Sequence, residues 1–389
     1  MHDDAHPTLA HTVDGPEDAP VVVMGSSLGT DRHMWDAQVP VLARRYRVVR
    51  YELRGHGRSG SPRAEGPVTI ADLGSDVLRL MDQLGIVSAH HVGLSIGGMV
   101  ALWLAERHPE RVERVAVVCS APYLPPAEGW LTRAATVRHE GMGAVVDAVM
   151  SRWFTETYDD EQRRAALRTS FLTVDPEGYA QCCEAVASMD LRPELPTISA
   201  PVLLVAGDSD AATPPELSAA AAETLRAAGA EVRYEVVADA AHISAVQQAP
   251  AVTRLIMEHL DAQDPVRAAG TRVRREVLGD DHVNRAQERT TPFTADFQDL
   301  ITRYAWGDVW TRPGIDRRTR SAITLAVLAT LGHDGEFAMH VRAALRNGLT
   351  VDEIREVLLH IGVYAGVPVS NHAFALAQQV LDDLEREGS

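Results

Sequence analysis

The stretch His91-Val92-Gly93-Leu94-Ser95-Ile96-Gly97-Gly98 sets a serine between two glycines, each two residues away. A serine hydroxyl is a weak nucleophile until a base takes its proton, and the base, a histidine, needs a carboxylate to fix its tautomer and orientation. Both groups follow downstream. Asp210 lies in Asp208-Ser209-Asp210-Ala211-Ala212-Thr213-Pro214, and His242 closes Asp239-Ala240-Ala241-His242. Asp210 is the expected partner because it stands further into its loop, with Thr213-Pro214 opening the next helix behind it; Asp208 is the second candidate. Two backbone N–H groups must receive the developing oxyanion. Those expected are Ile96, directly after the serine, and Leu28, in the loop Gly25-Ser26-Ser27-Leu28-Gly29. His56, in the turn Arg54 to Ser59, is read as structural.

These residues need a scaffold that presents them together. Short β-branched runs at 21–24, 46–52, 90–93, 114–120, 201–207 and 232–237 alternate with longer helical patterns, the signature of a mostly parallel sheet covered by helices. Gly-x-Ser-x-Gly between a strand and a helix, then Asp, then His, is the order of the α/β-hydrolase fold. The alternation stops at about 122–196, where helical patterns broken by Pro and Gly form a cap inserted between two strands. The α/β domain is therefore placed at 1–262. Residues 263–271, with Pro265 and the small residues Ala268, Ala269 and Gly270, have linker composition. Beyond them, 272–389 reads as a small all-α domain, with helices at 320–331, 337–347 (stopped by Gly348) and 352–365 (introduced by Thr350).

In that second domain helical spacing puts Glu336 and His340 four residues apart on one face, and Arg317, Arg318 and Arg320 precede the helix before them. On spacing alone this is a stabilising pair beside a solvated basic turn. A metal site would need further ligands from His333, His360 or His372, and nothing in the spacing requires them, so none is expected.

Composition narrows the partners. A net charge of −17 with no concentrated basic window argues against nucleic acid. All 37 basic residues are arginine, so any cation that grips a carboxylate must be Arg or His. No apolar run reaches the length of a membrane span and the first residues lack a secretory pattern, so a cytoplasmic protein without membrane partners is expected. Cys119, Cys182 and Cys183 make neither a disulfide framework nor a C-x-x-C motif.

The sequence resembles two known families. Ser26 to Asp31 with Met34-Trp35, the Arg54–Ser59 turn, Gly93 to Gly98, Asp210 to Pro214 and Ala241 to Ser244 look like 3-oxoadipate enol-lactonase over about residues 8–260; Glu52 stands where that family more often has Asp. Arg275 to Asp280, Tyr304 to Trp310, Asp316 to Ser321, Glu336 with His340, Asn347 to Thr350 and His360 to Pro368 look like 4-carboxymuconolactone decarboxylase. The resemblances imply consecutive steps of the protocatechuate branch of the β-ketoadipate pathway, since decarboxylation of carboxymuconolactone gives the enol-lactone that the first domain would hydrolyse. Decarboxylation leaves a carbanion conjugated to the lactone carbonyl, so the substrate is its own electron sink and no cofactor is implied. The implied roles are Arg317 or Arg320 for binding and Glu336 with His340 for proton delivery and oxyanion stabilisation. In the cap, Trp130 and Arg133 are the candidates for the substrate carboxylate. The expected ligands are small anionic lactones, and the all-α domain is expected to associate with copies of itself. The competing readings are a general carboxylesterase or lactonase with a non-catalytic oligomerisation domain, and a binding protein on a hydrolase scaffold.

Overall fold

The β-branched runs pair into one sheet of seven strands: β1 (His11–Asp14), β2 (Val21–Gly25), β3 (Arg47–Tyr51), β4 (Ala89–Leu94), β5 (Val112–Val118), β6 (Val202–Gly207) and β7 (Val232–Val237). The computed structural model describes residues 7–61, 66–262 and 265–387. The spatial order is β1-β3-β2-β4-β5-β6-β7, parallel throughout except that β1 runs antiparallel to β3 at the edge. Every residue of β4 and β6 is buried, which is why these strands read as continuous rather than alternating apolar runs. This is the α/β-hydrolase sheet, and its carboxyl edge carries the loops that hold Ser95, Asp210 and His242.

Helices α1 (Ile70–Gln83) and α2 (Ile96–Arg107) follow β3 and β4. The cap leaves the sheet after β5 and returns before β6, carrying α3 (Ala127–Glu140), α4 (Glu161–Leu172) and α5 (Pro176–Ser188). Its two ends are tied by a bridge between Tyr123 and Asp190 and by the Leu191 N–H donating to the Pro122 carbonyl at 2.9 Å. After β6, α6 (Pro215–Ala227) packs on the sheet, and α7 (Ala249–Asp261) follows β7.

The chain divides into two units, Met1–Leu260 and Asp261–Ser389. Among its described residues the second has only helices as regular elements: α8 (Pro265–Leu278), α9 (Asp280–Glu288), α10 (Pro292–Ile301), a π-helical segment Thr302–Val309, α11 (Arg317–Leu331), α12 (Asp334–Arg346), α13 (Val351–Tyr364) and α14 (Val367–Glu387). The linker reading of 263–271 is corrected from Pro265 onward, where α8 begins. Proline is tolerated in a first helical turn. The small residues serve packing: a Cβ on Gly270 would come within 2.1 Å of the Thr302 carbonyl, so only glycine lets α8 lie against the π-helical segment. Thr350 caps α13 through a reciprocal pair with Glu353.

Buried histidines make the hydrolase unit sensitive to acid. His90 and His91 on β4 and His259 on α7 lie inside the protein. Burial is the main cause that lowers their pKa, to about 4, about 4 and about 3. Glu106 runs the other way, pushed up to about 8 by burial and by Glu194, and offsets one of the three. An unfolded histidine takes up a proton near pH 6.5 while these folded ones stay neutral until about 4, so stability falls as pH drops through that window. The unfolding midpoint is expected to decline steadily from pH 7 to pH 5, above the range where ordinary carboxylates protonate; a flat profile would contradict the assignment.

Candidate active site

The serine stands at the strand-to-helix elbow with φ of 56°, a left-handed conformation that a non-glycine residue rarely adopts. The elbow closes only because its neighbours have no side chains. A Cβ on Gly93 would lie 2.1 Å from the Gly97 carbonyl, and one on Gly97 would lie 2.4 Å from that of Gly25. The turn places Ser95 at the N-terminus of α2, where unpaired N–H groups favour negative charge.

Residues that are far apart in sequence meet there. His242 Nε2 lies 2.9 Å from Ser95 Oγ, and His242 Nδ1 lies 2.9 Å from Asp210 Oδ2. Burial pushes the Asp210 pKa up, but the nearby His242 and hydrogen bonds from His242 and Thr213 outweigh it and hold the carboxyl below its ordinary range. Asp210 is therefore a carboxylate at neutral pH, able to stabilise an imidazolium on His242. The Thr213 hydroxyl donates to Asp210 Oδ2 at 2.6 Å, and its backbone N–H and that of Ala212 donate to Oδ1.

Asp208 has a different place. Its two oxygens accept the backbone N–H groups of Asp239 and Ala240 at 3.0 and 3.2 Å, bracing the loop that delivers His242. The cap braces the same loop. Thr155 and Thr157 donate to the Asp239 side chain, and the N–H groups of His242 and Ile243 donate to the carbonyls of Arg152 and Trp153.

Ile96 N–H begins α2 beside the serine, and Leu28 lines the same cavity. Neither N–H has a hydrogen-bond acceptor among the described residues. The Leu28 loop is pinned by His56: Gly29 N–H donates to His56 Nε2 at 2.9 Å, while Nδ1 faces the Arg54 carbonyl at 2.9 Å. That pair of contacts requires the neutral ring with its proton on Nδ1. Burial agrees, lowering its pKa to about 4. His56 has a structural role, and what it holds is the loop that carries Leu28.

The cavity over Ser95, about 490 Å³ including its mouth, is lined by Ser95, His242, Leu28, Trp130, Arg133 and Arg152 among others. Trp130 is fixed by its indole N–H donating to the Leu124 carbonyl at 3.1 Å, and the Arg133 guanidinium lies 4.5 Å over its ring. Arg152 was missed by the sequence reading. It ends a helical pattern with no motif around it, yet it lines the cavity.

In the second unit His340 lies on α12 with 9% exposure, its ring stacked near that of Trp310 at 6.4 Å between centroids. Burial, reinforced by His282 and opposed by Glu336, lowers its pKa to about 4, so the imidazole is neutral at rest. Glu336 is exposed one turn before it. Of the expected binding arginines, Arg317 pairs with Glu276, while Arg320 donates to the Arg312 carbonyl at 2.7 Å and keeps a buried Nε without a hydrogen-bond partner among the described residues. Among the described residues no recorded contact joins either to Glu336 or His340. The sequence reading also missed His282, whose charge acts on His340.

Comparison with known proteins divides at the same place. The model of the alpha/beta hydrolase fold matches residues 20–249, and that of the carboxymuconolactone decarboxylase family matches 295–379. A 3-oxoadipate enol-lactonase of Acinetobacter baylyi is 37% identical over 243 residues, covering 62% of this chain and 88% of its own. A 4-carboxymuconolactone decarboxylase of the same organism is 52% identical over 115 residues, covering 30% of this chain and 86% of its own. The crystal structure of the enol-lactonase from Burkholderia xenovorans aligns with a TM-score of 0.62 at 42% identity, over 65% of this chain and 96% of that one.

Proposed function

The chain belongs to the α/β-hydrolase family through its larger unit and to the carboxymuconolactone decarboxylase family through its smaller one, and from that premise we propose a bifunctional enzyme that catalyses two consecutive steps. The smaller unit decarboxylates 4-carboxymuconolactone to 3-oxoadipate enol-lactone; the larger hydrolyses the enol-lactone to 3-oxoadipate. The observation that carries this reading is that the product of one relative's reaction is the substrate of the other's, and both relatives are fused here.

In the larger unit Ser95 Oγ attacks the lactone carbonyl while His242 Nε2 takes its proton. Asp210 stabilises the imidazolium, and the N–H groups of Leu28 and Ile96 receive the oxyanion; losing one such donor costs about 2.7–4 kcal/mol in a well-studied protease. Ring opening expels an enolate, which is protonated and tautomerises to the ketone. Water, activated by His242, then cleaves the acyl-enzyme. The leaving group is more acidic than an alkyl alcohol, so its departure leans less on His242 as acid.

In the smaller unit the C–CO₂ bond breaks and its electron pair passes through the ring to the lactone carbonyl oxygen. A proton then returns to carbon. Glu336 and His340 are the groups for that transfer and for the transient negative charge. Leu331, Leu359, Val363, Tyr364 and Val367 are exposed in this unit and supply apolar faces through which copies of the chain associate, which light scattering tests.

The decisive experiment supplies the intact protein with 4-carboxymuconolactone and follows CO₂ and 3-oxoadipate. Stoichiometric appearance of both is expected; hydrolysis without CO₂ would leave a lactonase carrying a non-catalytic domain. Arg133 and Arg152 make the larger unit selective for a carboxylate-bearing lactone in this reading. Arg152→Ala is expected to raise KM for the enol-lactone about tenfold or more while leaving a neutral lactone ester unaffected. Equal effects on both substrates would remove Arg152 from recognition.

A further inference from the structure

The smaller unit buries a cation that no acidic side chain neutralises among the described residues. Arg274 on α8 is 8% exposed, and its Nε has no hydrogen-bond partner. One terminal nitrogen donates to Gln298 Oε1 at 3.0 Å and to Thr302 Oγ1 at 3.4 Å, both neutral acceptors. Among the described residues no carboxylate pairs with it. The charges that do act on it work against it, since burial and the adjacent Arg275 both favour losing its proton. Removing an unpaired guanidinium from water is costly, so a fold that keeps one there is holding it for an anion.

The surroundings indicate which anion. Arg274, Arg285 and Arg346 all act on His282 of α9, and His282 acts in turn on His340 of α12. The same helices supply a small buried apolar cluster of Val273, Val277, Leu278, Val283 and Ala343, joined by Trp306, with Trp310 against it. The His340 ring stacks on Trp310, and its Nδ1 is buried without a hydrogen-bond partner among the described residues. Glu336 is the acidic group that acts on His340, and it is exposed. The π-helical segment Thr302–Val309 supplies Trp306 and the Thr302 hydroxyl on Arg274; π turns inside helical proteins are frequent at functional sites.

We propose that Arg274, with His282 beside it, is the cationic wall of the decarboxylase site, gripping one carboxylate of a dicarboxylate lactone next to His340. This rests on the decarboxylase reading of the smaller unit and adds Arg274 to the arginines, Arg317 or Arg320, expected to hold the substrate. A guanidinium binds a carboxylate through two parallel N–H bonds, and Arg274 keeps Nε and its remaining terminal nitrogen for that purpose. An apolar residue of similar length removes the cation without leaving a hole.

The test uses the full chain and the variants Arg274→Met and Arg274→Lys. Arg274→Met is expected to lower kcat/KM for decarboxylation about a hundredfold or more, mainly through KM, while its unfolding midpoint stays level with or above that of the parent. Arg274→Lys should recover part of the loss. Succinate, a saturated dicarboxylate, should raise the midpoint of the parent and not that of Arg274→Met. A variant that unfolds well below the parent, or one that keeps its KM, would overturn the proposal and make Arg274 a structural residue. Should the parent release no CO₂, the decarboxylase reading fails by itself, and the succinate comparison still decides whether Arg274 holds an anion.

Discussion

Replacing Ser95 with alanine is expected to reduce enol-lactone hydrolysis by on the order of 10⁴- to 10⁶-fold while leaving CO₂ release from 4-carboxymuconolactone unchanged. The size follows from the relay. With Oγ gone, His242 still faces Asp210 at 2.9 Å, but the imidazole has no nucleophile to activate, and only the oxyanion donors and substrate binding remain. The selectivity follows from the fold, because Ser95 belongs to a unit whose sheet and core are its own. Fed with carboxymuconolactone, the Ser95→Ala protein should therefore accumulate enol-lactone in an amount equal to the CO₂ evolved, apart from slow spontaneous hydrolysis. Chromatographic separation of the two lactones and 3-oxoadipate over time measures this. Undiminished 3-oxoadipate would show that the elbow serine is not the nucleophile, whereas loss of CO₂ release would show that the two activities depend on one site.

What the sequence made legible, and what it hid, follows from how local each feature is. The elbow is written in five consecutive residues, because only glycine at 93 and 97 fits where another backbone comes within van der Waals distance. The strands that build the sheet's centre are legible because burial on both faces demands unbroken apolar runs. The edge strand β1 is four residues long, and none of them is fully buried, so it carries no such run. Ala268, Ala269 and Gly270 are ambiguous in sequence, since small residues suit both a flexible connection and a close helix crossing; only the partner segment at 302–307 decides between them. The arginines are the hardest class. With 37 in the chain, the residue type says nothing about which are solvated, which brace a turn and which stand in a pocket. On spacing alone Arg317 reads as part of a solvated basic turn, whereas in the fold Glu276, 41 positions earlier, pairs with it. Arg152 is distinguished by facing a cavity and Arg274 by burial against neutral acceptors, properties of the folded chain that no motif records.

His340→Ala is expected to be the complementary lesion, lowering decarboxylation by about 10²- to 10⁴-fold, the usual range for removing a positioned acid–base group, with enol-lactone hydrolysis intact. At rest the imidazole is neutral, because burial and His282 hold its pKa at about 4 against the opposing effect of Glu336. A neutral ring donates a hydrogen bond to a carbonyl oxygen gaining charge, yet it is a poor source of a proton for carbon. Binding a dianion changes that balance, since two negative charges arriving beside His340 favour its protonated form. The substrate would thus help raise the acid that later protonates it. His340→Gln separates the two roles: an amide can still donate a hydrogen bond to the lactone oxygen but cannot deliver a proton. If His340 acts as the acid, the glutamine variant should be nearly as slow as the alanine variant, and the pH dependence of kcat should lose its histidine limb in both. If its contribution is the hydrogen bond, glutamine should restore most of the rate, while a rate unchanged in His340→Ala would remove this residue from the reaction and return the proton to Glu336.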